Sequence, residues 1–255
     1  MNKYRSDILK YIVEILVIIF GILGAFALDR WNEKRNNKKL EKEVLTQISE
    51  DLTFTLEDLK NDFIVHEIAL KSHFTLDSVI KNKVKYSDNM AFDFYWIKED
   101  EYIFPNQIGY RNLESIGTSL ISNQELRTSI SYIFNHDFPR ITKGNNLFPD
   151  INEFLTPYYQ ENFKANQKSD LKYTLSLEND YKIVYPREVN LKDHKDYQYI
   201  GFIPKDYNRT INDPKFNYLL SEAKKFRIYK YKKYKSSIAN VEGVLVEIKK
   251  YLVAH

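Results

Sequence analysis

From Ile8 to Leu28 the chain reads ILKYIVEILVIIFGILGAFAL, and after Tyr11 its one charge is Glu14. Ile, Leu, Val and Phe fill 14 of these 21 positions and leave no polar face. A helix that crosses a bilayer needs about 20 mostly apolar residues. At roughly −0.3 to −0.6 kcal/mol each, these side chains favour insertion by about 6 kcal/mol, against on the order of 3 for one carboxylate. The pattern predicts a transmembrane anchor over 11–30, a short basic tail over 1–10 and a charged neck over 31–39. A core helix is the first alternative. The second is a cleaved signal peptide ending at the small residues Ala25 and Ala27. The length of the run, Glu14 and the helical pattern continuing through Trp31 favour a retained anchor.

Beyond the neck the periodicity changes. Leu40, Val44, Leu45, Ile48, Leu52, Leu56, Leu59, Phe63, Ile68, Leu76 and Val79 recur at steps that place them on one stripe of a helix over about 40–80. Asp213 as N-cap and Pro214 at the first helical position open a second long helix, about 213–253. Two amphipathic helices of equal length, first and last in one domain over 40–255, pair most simply antiparallel. In that register Lys232, Lys233 and Lys235 are expected near Glu57, Asp58 and Asp62.

The middle region, 81–212, is aromatic and irregular. It carries short helical patterns at 107–120 and 151–163, and a third from near Asn123 to Asn135 with a capping box at Ser122 and Glu125. A short hairpin is expected between Ser169 and Pro204. The fold class is therefore mainly α. An N-terminal transmembrane helix precedes an elongated domain built on a long antiparallel helix pair, with coiled-coil spacing and smaller helices between.

Composition narrows the function classes. The net charge of +3 is too small to argue for nucleic acid, and the absence of Cys excludes disulfides and thiolate metal sites. No phosphate loop, dinucleotide fingerprint, zinc-protease motif or nucleophile elbow occurs. His66 and His73, seven apart, are a poor metal pair, and His136-Asp137 stands without the further ligands of a metal site. Catalytic, cofactor and metal residues are accordingly expected to be none. Gly21 and Ala25, four apart, form a flat face for another membrane helix, which makes a homo-oligomer or a membrane-protein partner the expected company besides the bilayer. Glu14 is a candidate intramembrane polar site, with snorkelling to the interface as the plainer account. Asn123 and Arg127, and Lys232 and Lys233 within the run Lys224–Lys235, are candidate interaction surfaces. That run alternates cations with aromatics, as binders of single-stranded nucleic acid or anionic lipid do, but on a helix it spreads around the axis, so nucleic acid is not an expected partner.

Two blocks of sequence resemble a large uncharacterised bacterial family of single-span membrane proteins with a domain of unknown function. The first, Glu14 to Arg35, carries Gly21-Ile22-Leu23 and Trp31-Asn32-Glu33. The second, Ile108 to Phe134, carries Gly109-Tyr110, Ser115 to Gly117, Leu120 to Asn123 and Leu126-Arg127. Together they cover about a quarter of the chain, and the N-terminus is shorter and less basic than that family's. The resemblance implies a bacterial inner-membrane, single-pass protein with its domain outside the cytoplasm, and it implies no catalytic residue. Counting cations on either side of the span points the other way, because Arg30, Lys34, Arg35, Lys38 and Lys39 follow it. The expected function is a non-enzymatic sensor, scaffold or accessory subunit. The alternatives are a module binding a small ligand or peptide in the aromatic middle region, and an enzyme assembled from Asp93, Glu114 and Asp137.

Overall fold

The computed structural model describes residues 2–145, 147–166 and 201–254, and by backbone the strands at 173–176, 182–185, 187–191 and 194–198; side chains are described from Leu16 onward. The fold is mainly helical. Its frame is α1 (Asn2–Lys81) and α7 (Pro214–Ala254). Between them come α2 (Met90–Trp96), α3 (Ile108–Ile116), α4 (Gln124–Tyr132), α5 (Ile151–Asn162) and α6 (Tyr207–Asn212).

Burial along the two long helices follows a 3.5-residue period. On α7, Phe216, Leu220, Ala223, Arg227, Lys230, Tyr234, Ser237, Val241, Val244 and Ile248 are buried at alternating steps of four and three. On α1, Leu45, Ile48, Leu52, Thr55 and Leu59 are buried, then His66, Ala69, His73 and Leu76, with half-buried Asp62 completing the series. This is the spacing that keeps one seam of each helix facing the other. The helices run antiparallel: Glu41 meets Tyr251, Lys60 meets Glu242, His66 meets Arg227 and Asp77 meets Lys224. That register lies close to the expected one, but the charges do not face as expected. Tyr234, not a lysine, reaches Asp62, while Lys233 and Lys235 lie over the rings of Tyr229 and Tyr231 one turn back on their own helix.

Two apolar cores flank the middle of the pair. One joins Leu45, Ile48, Leu52 and Leu59 to Leu113, Leu126, Ile130, Val241 and Ile248. The other joins Leu76 to Phe94, Leu155, Tyr159, Phe163, Phe216 and Leu220. The aromatic residues of the middle region divide between them: Tyr110, Phe134 and Phe138 enter the first, and Phe94, Tyr158, Tyr159 and Phe163 the second, where Tyr159 stacks on Phe163 at 4.1 Å between centroids. At its edge β1 (Phe163–Ala165) pairs antiparallel with β6 (Phe202–Pro204). Between them β2 (Tyr173–Ser176) pairs with β3 (Lys182–Tyr185), and β4 (Arg187–Leu191) with β5 (His194–Gln198).

Polar contacts fix α3 and α4 on α1. A side chain at Gly109 would come within 2.8 Å of the Ile48 backbone nitrogen, so only glycine permits this approach. There the Gly109 N–H donates to Asp51 Oδ2 at 2.7 Å. The buried Glu41 Oε1 accepts from the Ser122 N–H at 2.7 Å and from Tyr251 Oη at 2.8 Å. Ser122 is thereby taken by α1 and α7, and the helix cap belongs to Asn123, whose Oδ1 accepts from the Leu126 N–H at 3.0 Å. This corrects the capping box expected at Ser122. Asp213 takes the cap position of α7, accepting from the Lys215 N–H at 2.9 Å.

From Leu16 to Lys39 no residue of α1 is buried. Leu16, Val17, Ile18, Phe20, Leu23 and Phe26 all present their side chains outward. Among the described residues no helix is long and apolar enough to cross a membrane. The first part of the expected span, 11–15, which includes Glu14, lies outside the residues whose side chains are described.

Candidate functional site

The seam between the two apolar cores is polar. Helical spacing brings Arg227, Lys230 and Tyr234 of α7 to the positions that Leu220 and Val241 occupy one or two turns away, and it brings His66 and His73 of α1 to face them. The loop after α2 closes over these residues and supplies Asp100, whose side chain is fully buried. Asp100 accepts from Lys230 Nζ at 2.6 Å, Arg227 Nη1 at 3.3 Å, Tyr102 Oη at 3.0 Å and the first N–H of α5, Ile151, at 2.9 Å. Arg227 Nη2 donates to the Glu99 carbonyl, and Lys230 Nζ lies 3.7 Å from the centroid of the Tyr102 ring. Tyr234 Oη donates to Asp62 Oδ2 at 3.2 Å and to the Glu101 carbonyl at 3.3 Å. Thus α1, α7, the 98–102 loop and the start of α5 meet on one carboxylate.

Two buried cations share that carboxylate, and the histidines adjust to the excess. Arg227 Nη1 lies 2.7 Å from His66 Nδ1, so Nδ1 must accept and the ring proton sits on Nε2. Burial, followed by the nearby Arg227, holds His66 and His73 well below the ordinary histidine range, and both are neutral at pH 7. Burial also pushes Lys230 down to about 8, against the pull of Asp100. Among the described residues, some buried atoms of this seam meet no hydrogen-bond partner: His66 Nε2, both ring nitrogens of His73, Arg227 Nε and Ser237 Oγ. Such a cluster is a weak source of stability, but a polar layer in an apolar seam sets register, since any slip leaves charges buried without partners.

Past Tyr102 the same loop turns outward. Residues 103–108 and the turn at Thr142–Lys143 border an open cleft of about 420 Å³. The loop is tied down on both sides: Ile103 N–H donates to the Ile141 carbonyl at 3.3 Å, and Asn106 N–H to Thr55 Oγ1 at 3.2 Å. Phe104 and Ile108 stand on the wall of the cleft, exposed, and Arg111 reaches in from α3.

The sequence candidates fall in several places. Asn123 is the α4 cap, and Arg127 Nη1 approaches the Ile121 carbonyl at 3.4 Å, so both serve the packing of that helix. Lys232 is exposed on the back of α7, and Lys233 is half-buried against Tyr229. Gly21 and Ala25 lie on the exposed extension, where a side chain added at Gly21 would meet nothing within 4 Å. His66 and His73 share the seam, and His136 Nδ1 sits 3.1 Å from Asp137 Oδ1. Among the described residues no group of His, Asp and Glu is arranged to hold a metal ion. Asp93 bonds Ser72 on α1, Asp137 accepts from Asn240 on α7 at 2.7 Å, and Glu114 is exposed. Ser72 lies near the level of Arg227, more than a dozen residues before Asn240, so the first two carboxylates are about 20 Å apart along the helix pair. The three do not converge on one cleft. Asp100 was missed because nothing in its local sequence marks it. Arg227 and Lys230 carried a signal, their place in the three-and-four series of α7, which the alternation of cations with aromatics obscured. The chain matches no protein-family model, no curated protein and no solved structure.

Proposed function

We propose that the chain is a single-pass, membrane-anchored helical protein of the bacterial inner membrane that acts as a non-enzymatic sensor, scaffold or accessory subunit. The observation that carries this reading is the extension of α1: its large apolar side chains from Leu16 to Leu28 are exposed, with no other described element packed on them. Left in water they forgo on the order of 10 kcal/mol of hydrophobic transfer free energy, which a bilayer would supply. The apolar run from Ile8 and Trp31 at interface level agree with it, as does the resemblance carried by Glu14 to Arg35 and Ile108 to Phe134. Gly21 and Ala25 then offer the face for a second copy or another membrane helix. The helix continues from the exposed extension into the seam, so a displacement of the anchor would reach the Asp100 cluster without crossing a flexible joint.

The test is topology. Alkaline phosphatase and a green fluorescent protein are fused in turn after His255 in bacterial cells. The reading predicts membrane-bound phosphatase activity and a dark fluorescent fusion. Membrane-bound fluorescence would reverse the orientation, and soluble fluorescence would remove the anchor.

A further inference from the structure

The cleft beside Phe104 carries an inference independent of the anchor. Most large aromatic side chains of the described middle region are buried or half-buried, and the 46% exposed Tyr132 stacks on His136, whereas Phe104 is 80% exposed and Ile108 is 57% exposed on one rim. An exposed pair of large apolar side chains beside a concavity is the usual composition of a ligand site, completed by a few convergent polar groups. Those groups are present. Arg111 projects from the first turns of α3, and its Nη2 donates to the neutral Gln107 Oε1 at 3.5 Å. Among the described residues no carboxylate pairs with it. Lys143 faces the cleft from the opposite turn, at 3.9 Å from both Asp150 and Glu153, contacts long enough to be exchanged for a closer anion. Thr142 and the amide side chains of Asn106 and Gln107 add neutral hydrogen-bonding groups.

The wall is also held in place before any ligand arrives. Thr55 and Ile141 tie the loop from two sides, Asp51 holds Gly109, and the Asp100 cluster clamps the residues just before it. A preorganised wall avoids the ordering cost that weakens binding to mobile loops. We infer that this cleft is a binding site for a small amphiphilic carboxylate, its apolar part against Phe104 and Ile108 and its carboxylate on the guanidinium of Arg111, with Lys143 as the second cation. The planar fork of Arg fits two carboxylate oxygens at once, which sets this site apart from a merely basic surface.

The probe is 3-phenylpropionate, with 3-phenylpropionamide as its neutral counterpart, titrated by saturation-transfer NMR against the full chain in lipid nanodiscs; empty nanodiscs correct for partitioning. The expected result is saturable binding of the acid with Kd on the order of 1 mM and at least about tenfold weaker binding of the amide. Arg111→Gln should erase that preference, and Phe104→Ser should weaken acid and amide alike by about fivefold. Both positions are exposed, so the far-ultraviolet circular dichroism and melting temperature should stay as in the native chain. Should Arg111→Gln disturb either, Arg111→Lys, which keeps the charge and loses the fork, should still reduce the preference for the acid. Equal binding of acid and amide, an unchanged preference in Arg111→Gln, or no protein-dependent signal at about 10 mM acid overturns the assignment.

Discussion

At the scale of single residues, the seam holds groups whose protonation differs between folded and unfolded chain. His66 and His73 are kept neutral, whereas an unfolded chain takes up protons at both below about pH 6.5. Their contribution to stability is therefore complete above that pH and is lost as the pH falls. Asp93 acts in the opposite sense. Burial, opposed by its bond to Ser72, raises it from 3.8 to about 6. It keeps its proton in the fold through that window, and its contribution is lost as the pH rises. His73 is the sharper probe, because both ring nitrogens are buried without a partner. His73→Leu should raise stability at pH 7 by about 1 kcal/mol or more and flatten the loss in acid. Urea titrations between pH 5 and 7.5 measure both, and a variant less stable than the native chain at pH 7 contradicts the account. Some of this scale was legible in sequence. Asp213 before Pro214 gave a cap that the structure places at the start of α7. The signal of Arg227 and Lys230 was weaker, because cations within Lys224–Lys235 fit a solvated face until the loop carrying Asp100 is folded over them.

At the scale of elements, the long helices were the most legible part, since apolar residues recur at steps of three and four from Leu40 to Phe63 and on either side of the cationic run between Leu219 and Leu252. Their antiparallel pairing placed the first turns of the domain beside the C-terminal end, where Glu41 meets Tyr251. The polar contacts within the seam were not legible, because Asp100 reaches Arg227 and Lys230 across more than a hundred residues of chain. Nor did pattern reveal that Ser122 serves Glu41 and Tyr251, which left Asn123 to cap α4. The hairpin expected between Ser169 and Pro204 corresponds to two antiparallel pairs, but their number and bounds were not legible, since the strands between 163 and 204 are three to five residues each, too short for alternation to declare itself. The cluster's role at this scale is testable. Asp100→Asn leaves two buried cations without a counter-charge and should cost about 3–5 kcal/mol. Adding Lys230→Met should recover part of that loss, because it removes one of the stranded charges. A single variant within about 0.5 kcal/mol of the native chain by urea unfolding would show that the cluster does not hold the pair in register.

At the scale of the whole molecule, the chain is a helical domain whose first helix runs on beyond it. The domain buries many of its aromatic residues and gathers the buried Arg227 and Lys230 on Asp100, while the extension leaves Leu16 to Leu28 uncovered. The composition of the extension was legible as soon as the first residues were read; the partner that covers it is the proposal on which the functional reading stands. The cleft at Phe104 was invisible in sequence, because it is made by residues 103–111 and 142–143 meeting only after folding. The most direct measurement is extraction of bacterial membranes containing the full chain with alkaline carbonate, which strips peripheral proteins and leaves spanning ones. The account predicts that the native chain stays in the membrane pellet, and that replacing Leu16, Ile19 and Leu23 with Lys releases it, since each central Lys opposes insertion by about 3 kcal/mol. A native chain found in the carbonate supernatant, or in the soluble fraction beforehand, would contradict the account.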